Sequence, residues 1–504
     1  MPFSCLKFIS IMVILLGLSA CNDIPDMNIN KQVYAKLETI LDERRNSITS
    51  LLNNLESKIQ QSKTDATLLH FFSLFRPSHN NTNVQNINFS EQTLTLDKHY
   101  VQNYEKFYDI LFIDETGLIF HTVKMENDYH KNLFGEAMAQ STLSQALKQN
   151  PDTHFVDYHF YNPSQEAAAF FVIRVKAGGE NIGWIAFQFS VNAFNSILDQ
   201  VEGLGRTGEV YLTNAKKMML TQSRLLAENT TLNRKVDTGI ISTAAKQESG
   251  HMIIQDYRGA WVYSTFEKIQ FSGTTWIIIA EIDEDEIITN HLNENLDYYM
   301  DLIESKLERD LSLISPPVIS GHAGIKVDIN EFARAAPEEK LVTYGIATCT
   351  GIIVHHLGQY SYLGHIFPLD TAYHSKWDNW FLNIGMLLQG RSQEANSQDL
   401  LGDMIHKIKN FDTIPSKLNE LDVTLVAVQN SGFRHMVGKL LAEGFFASQI
   451  KILYNSKAAY ANLFVSANEN IDVIEWNLPN STQWSNNKAA ESLESLVKKL
   501  SGQF

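Results

Sequence analysis

The amino-acid sequence predicts an α+β protein of more than one domain, and three observations carry that prediction. Apolar residues at helical spacing occupy residues 31 to 62, short strand-like runs broken by turns and helical stretches pass twice through residues 107 to 283, and strand-like and helical segments alternate again from 321 onwards. A length of 504 residues exceeds what one hydrophobic core spans.

The chain starts MPFSCLKFISIMVILLGLSACN: a short region with Lys7, an apolar run too short for a comfortable membrane span, then small residues ahead of Cys21. That order predicts an export signal. Leu18-Ser19-Ala20-Cys21 resembles the bacterial lipobox, which implies that Cys21 is diacylated and tethers the protein to a membrane from the exported side, periplasmic or at the cell surface. An uncleaved anchor and ordinary secretory cleavage are the alternatives. Of the three cysteines, Cys5 then leaves with the signal, Cys21 carries lipid, and Cys349 remains without an intrachain disulfide partner. The formal charge of −16 and the lack of any Lys/Arg-rich run exclude an electrostatic nucleic-acid footprint.

Within 31 to 62, Leu37, Ile40, Leu41, Ile48, Leu51, Leu52, Leu55 and Ile59 make one long amphipathic helix, and the Asn- and Ser-rich stretch 76 to 92 reads as a loop. A hairpin follows, YDILFID and LIFHTV around the turn Asp114-Glu115-Thr116-Gly117. Strands are predicted at 167 to 175 and 182 to 190 about Gly178-Gly179, with helical segments near 136 to 149 and 191 to 202. A second pass runs from GEVYLTN (208 to 214) through GHMIIQDY and AWVYSTF to TWIIIAEI (275 to 282), so the two passes suggest an internal duplication.

GRTGEVYLTN, VDTGIISTAAKQESG, QDYRGAWVYSTFEKI and TWIIIAEID, in that order, with FVDYHFYNPSQEAAAFFVIRV before them, resemble the double-Cache sensor modules of bacterial chemoreceptors. The resemblance covers about residues 31 to 290. It implies two PAS-like subdomains, about 95 to 200 and 205 to 283, on the long helix, with a small-molecule pocket in the first. Asp157, Tyr158 and Tyr161 fall where the family places pocket residues. No Tyr/Arg/Trp-Tyr cluster matches near HTVKMENDYHKNL, so an amino-acid ligand is not supported. After the sensor, Ile288, Leu292, Leu296, Tyr299, Leu302, Leu307 and Leu311 form a helical stripe that predicts a connecting helix from 284 to Pro316-Pro317.

Residues 321 to 504 alternate strand-like TGIIVHHL, YLGHIFPL, VTLVAVQN, IKILYN and ANLFVSAN with helices near 398 to 410, 431 to 443 and 488 to 500, an α/β or α+β domain. Thiol catalysis needs a nucleophilic sulfur, an imidazole and a third polar group to orient the ring. Cys349, His365 and Thr343 are those types in one short segment, although cysteine and histidine of this kind are also ordinary core residues. TYGIATCTGIIVHHLGQYSYLGHIFPLD resembles the active-site segment of the chemoreceptor glutamine deamidase (CheD) family, with Thr343, Cys349, His365 and Pro368 on matching positions. The resemblance implies a Cys349 nucleophile, a His365 base, an orienting Thr343 and a protein glutamine as substrate. Departures from the family stand at Ala347-Thr348, Ser361-Tyr362 and NSKAAYANL. Two readings result: an exported sensor carrying a cysteine deamidase, or a ligand-binding lipoprotein whose C-terminal domain only docks a protein partner. No cofactor is implied. No metal is proposed, because His355 and His356 are adjacent on a strand and point to opposite faces.

Overall fold

The computed structural model describes residues 29–77, 89–305, 323–367, 399–412, 415–428, 433–466, 473–478, 485–486 and 491–501. These form two compact units, one of Lys31–Glu284 and one that holds Asp285–Phe504. Cys21, Pro316-Pro317 and Pro368 lie outside the described residues. Among the described residues no helix is long and apolar enough to cross a membrane.

The long predicted helix is α1 (Ile29–Ser62), and Leu37, Ile40, Ile48, Leu52, Leu55 and Ile59 on its apolar stripe are buried. Asp65 then caps α2 (Ala66–Phe75), its Oδ1 accepting from the Thr67 and Leu68 amides at 2.9 and 3.1 Å. The stretch read as loop up to residue 92 is partly helix, since α3 spans Phe89–Asn103. This helix buries little more than Leu96 and Tyr100, too thin a stripe to stand out in a polar sequence.

Strands β1 (Asp109–Asp114), β2 (Ile119–Thr122), β3 (Phe155–Tyr161), β4 (Glu166–Ala177) and β5 (Glu180–Ser190) form an antiparallel sheet in the order β2-β1-β5-β4-β3, the strand order of a PAS-like fold. Alternation divides its faces. Phe112, Phe171 and Phe187 meet the helical side through Phe71, Phe107 and Tyr104. Leu111, Ala186 and Phe170 face a second core closed by α4 (Thr142–Gln149). After α5 (Asn192–Leu198), strands β6 (Glu209–Asn214), β7 (Ser249–Gln255), β8 (Trp261–Phe271) and β9 (Thr274–Asp283), with α6 (Gly239–Ala244), repeat the plan in the order β6-β9-β8-β7. Only a bridge between Thr213 and Met219 stands where β2 stood in the first sheet.

In the second unit the predicted single connecting helix is two helices, α7 (Glu284–Glu294) and α8 (Leu296–Glu304), separated at Asn295. Their apolar stripe, Ile288, Leu292, Tyr299, Met300 and Ile303, is built into the core of this unit. Two sheets follow. β11 (Glu331–Ala335), β14 (Tyr360–Ile366), β13 (Thr350–His356), β15 (Leu421–Ala427), β16 (Ile450–Tyr454) and β20 (Glu491–Ser492) make a mixed six-stranded sheet in that order. β10 (Ile325–Lys326), β12 (Lys340–Ile346), β17 (Tyr460–Ser466), β18 (Val473–Asn477) and β19 (Ser485–Asn486) make a five-stranded one. Ile352, Val354, Tyr362 and Ile366 face a helical layer of α7, α8, α9 (Leu400–Lys407), α10 (Phe433–Ala442) and α11 (Leu493–Ser501). Ile353 and Leu363, of opposite parity, face the five-stranded sheet through Leu341, Leu463 and Ile346. The unit is therefore sheet on sheet on helices.

Candidate functional site

Cys349, Thr343 and His365 reach the space between the two sheets of the C-terminal unit from different elements. Thr343 faces inward on β12, and the β12–β17 register then shifts between Thr343 and Ile346, with Gly345 at φ 80. The extra residue returns Ile346 to the core and leads into the bend 347–349 that carries Cys349. The Gly345 amide donates to Asn462 Oδ1 on β17 at 3.1 Å, which ties the bulge down. On the facing sheet His365 pairs with Gly351, and Thr350 pairs with Ile366. Cys349 stands two residues before Gly351, the strand partner of His365, and lies in the core shared with Ile353 and Leu363. A Cβ on Gly351 would stand 2.4 Å from Leu463 Cδ1, so a larger residue here would push the Leu463 side chain of the facing sheet aside.

The hydrogen bonds fix the chemistry of the ring. Thr343 Oγ1 donates to the Val327 carbonyl at 2.7 Å and lies 2.8 Å from His365 Nδ1. A hydroxyl has one proton, so the second contact requires Nδ1–H to donate and the threonine oxygen to accept. His365 Nε2 then carries a lone pair, and this buried atom has no hydrogen-bond partner. Burial pushes the imidazole down to about 4, so it is neutral at physiological pH. Asn330, at φ 61, holds the end of β14: its amide donates to the His365 carbonyl at 2.8 Å, and its Oδ1 accepts from the Phe367 amide at 3.1 Å. Cys349 carries no disulfide and is 3% exposed, and His365 is 1% exposed, so the arrangement is closed.

A cavity of about 460 Å³ opens in the first sheet's subdomain, bordered by Asn127, Lys131, Ser141, His159, Tyr161 and Gln165 among others. Of the three sequence-predicted pocket residues, Tyr161 lines it. Asp157 and Tyr158 do not. The β3–β4 register shifts between Val156 and His159, and Asp157 Oδ1 accepts from Trp276 Nε1 of β9 at 2.9 Å. Tyr158 packs on Phe194 and Trp276. These two side chains join the first subdomain to the second.

Strand parity missed a group of residues beside the cavity. Asp109 pairs with Gln188 on the face of Leu111 and Ala186, and Tyr161 donates to Asp128 Oδ2 at 2.9 Å. Tyr108 donates to Glu126 Oε1 at 2.6 Å. Burial, with the Asp128 charge adding to it, pushes the Asp109 carboxyl up to about 7, and burial raises Asp128 also. Carboxylates opening or flanking a strand as apolar as YDILFID were the available signal. Among the described residues no group of three His, Cys, Asp or Glu side chains is placed to hold a metal ion.

No protein-family model matches the sequence, and no curated protein matches it significantly. Solved structures do match. An extracellular ligand-binding receptor from Desulfohalobium retbaense is 11% identical, with 49% of this chain and 40% of that one covered and a TM-score of 0.36. This chain thus spans less than half of that receptor's length. The ligand-binding domain of the Pseudomonas aeruginosa amino-acid chemoreceptor PctB, in complex with L-Arg, is 12% identical over 52% of this chain and 97% of that one, with a TM-score of 0.34. The periplasmic sensory domain of the Campylobacter jejuni chemoreceptor Tlp1 is 12% identical over 52% and 98%, with a TM-score of 0.39.

Proposed function

We propose that the protein is an exported, lipid-anchored sensor: its N-terminal unit binds a small molecule in the first subdomain, and its C-terminal unit is a cysteine amidohydrolase acting on a glutamine side chain of a protein. The observation that carries the catalytic part is the proton count at Thr343, which leaves His365 Nε2 as a neutral, unpartnered base on β14, whose strand partner Gly351 stands two residues from Cys349. The PAS-like strand order with its adjoining cavity supports the sensing part. The anchor is Cys21, read from the lipobox resemblance.

A neutral imidazole sets the order of events. With His365 held down to about 4, there is no resting imidazolium to stabilise a thiolate, so Nε2 takes the thiol proton as the sulfur attacks the carboxamide carbon. The carbon–nitrogen bond breaks as the imidazolium returns that proton to the nitrogen, and ammonia leaves. Water then adds to the thioester, Nε2 accepts its proton, and the carbon–sulfur bond breaks to give a glutamate and the restored thiol. Thr343 keeps the ring in one tautomer throughout.

The burial of the thiol favours the alternative in which this unit only docks a protein. Incubation with glutamine-rich casein, followed by enzymatic ammonia measurement and mass spectrometry for the mass gained on deamidation, separates the two. Release by the wild type that is absent in Cys349→Ala and His365→Ala supports the enzyme. Release that persists in both variants, or none from the wild type even after limited proteolysis opens the unit, leaves the docking reading.

A further inference from the structure

The polar end of the first sheet's cavity-side face holds three acceptor atoms that the donors around them leave without a hydrogen bond. Asp109 and Asp128 are 0% and 1% exposed, and Gln188 is 0% exposed. Asp109 Oδ2, Asp128 Oδ1 and Gln188 Oε1 are each buried without a hydrogen-bond partner. They belong to one neighbourhood. Asp109 and Gln188 are directly opposed on β1 and β5. Asp128 is tied to the sheet through the Tyr161 hydroxyl, and its charge acts on Asp109. The Tyr161 ring borders the 460 Å³ cavity, as does the turn Asn162–Gln165, whose Ser164 accepts from Gln188 Nε2 at 2.9 Å. A buried acceptor left unpaired is costly, and one proton shared by the two acids satisfies only part of the set.

We propose that this end of the sheet recognises an organic cation, a small primary amine without a carboxylate, whose N–H donors reach Asp109, Asp128 and Gln188. An ammonium supplies three donors and no acceptor, the complement of what these side chains offer. Among the described residues no Lys or Arg forms an ion pair with Asp109 or Asp128, and the nearby Lys124 ammonium lies over the Tyr108 ring, 5.5 Å from its centroid. Among the described residues the one cation lining the cavity, Lys131, is exposed, and an exposed lysine holds a carboxylate only weakly. An amino acid therefore gains little from its carboxylate here, whereas its amine and that of a simple alkylamine meet the same acceptors.

This inference rests on the reading of the N-terminal unit as a ligand-binding module, and the test separates the two. Calorimetric titration and thermal shift of the full chain are run with n-butylamine, 1,4-diaminobutane, 1-butanol, butanoate and 2-aminopentanoate. The expected result is saturable binding of an amine, affinity for 2-aminopentanoate no better than for the amine, no binding of the alcohol, and loss of at least about tenfold in affinity in both Asp109→Asn and Asp128→Asn. Each variant removes a buried charge, so its unliganded melting temperature is expected to stay level or rise, which keeps lost binding distinct from lost fold. Binding of the alcohol or butanoate that both Asn variants leave unchanged overturns the cation while keeping the module. Tighter binding of 2-aminopentanoate than of either amine overturns the exclusion of a carboxylate. Absence of binding by every probe overturns both readings.

Discussion

At the scale of single residues, the proposed function rests on where one proton sits. The Thr343 proton goes to the Val327 carbonyl, so the His365 proton must be on Nδ1. Thr343→Val removes the acceptor while nearly preserving shape, and it is expected to release the ring into both tautomers. Imidazole ¹⁵N spectra check this: the wild type shows a protonated Nδ1 and a bare Nε2 from about pH 5 to 8, and the variant shows averaged shifts. A bare Nδ1 in the wild type would remove the basis of the mechanism. Residue types in one short segment made Cys349, Thr343 and His365 candidates for thiol chemistry, and it was the resemblance to the deamidase segment that singled them out. What spacing could not convey is that Thr343 and His365 meet across two different sheets, or that Gly351 and Asn330 hold them there. Those roles depend on register, which single-sequence periodicity does not encode. Register also explains Asp157: it has the parity of Tyr161, and the bulge in β3 between Val156 and His159 breaks that alternation, whereas Tyr158, of the other parity, packs on Phe194 and Trp276.

At the scale of elements, the strands were legible where alternation or apolar runs were strong, as in β4, β5, β8 and β9, whereas α3 was not, for want of a wide apolar stripe, nor was α2, whose ATLLHFFSLF is a short run apolar on nearly every side. The stripe on α7 and α8 was legible, but its destination was not, since an amphipathic pattern names a face and not its partner. Leu292 is fully buried in the core that also holds Met436 and Leu440. Leu292→Ala is therefore expected to destabilise the C-terminal unit by about 2–5 kcal/mol. Two-probe denaturation, with hydrogen exchange of α10 and of β4–β5 as reporters, checks it. Loss of protection in α10 with β4–β5 unchanged is the expected outcome, and equal protection of α10 in wild type and variant would show that the helix pair does not stabilise this core.

At the scale of the molecule, the two units respond differently to pH. Burial raises Glu281, which accepts from Ser264 and Tyr211, up to about 8, and raises Asp109 up to about 7. Such carboxyls contribute stability that is complete below their unfolded values and is lost as pH rises through 7 and 8. His121, pushed down to about 4 by burial, acts oppositely, but only as pH falls below its unfolded value of 6.5. Between about pH 6.5 and 8.5 the carboxyls alone decide, so the melting temperature of the N-terminal unit is expected to fall by a few degrees, and Glu281→Gln to flatten the decline. A melting temperature that rises over this interval would contradict the assignment. In the C-terminal unit the depressed value of His365 contributes stability that is complete above pH 6.5 and is lost toward about 4. The central claim is that this neutral ring activates the Cys349 thiol, and its most direct test is the rate of Cys349 alkylation by iodoacetamide at about pH 6.5 in wild type and His365→Ala, each also measured after unfolding. The account predicts that the folded wild type reacts at least about tenfold faster than the folded variant, with the difference gone in the unfolded chains. Equal rates in the two folded proteins, at equal protection of β13 and β14 from hydrogen exchange, would contradict it.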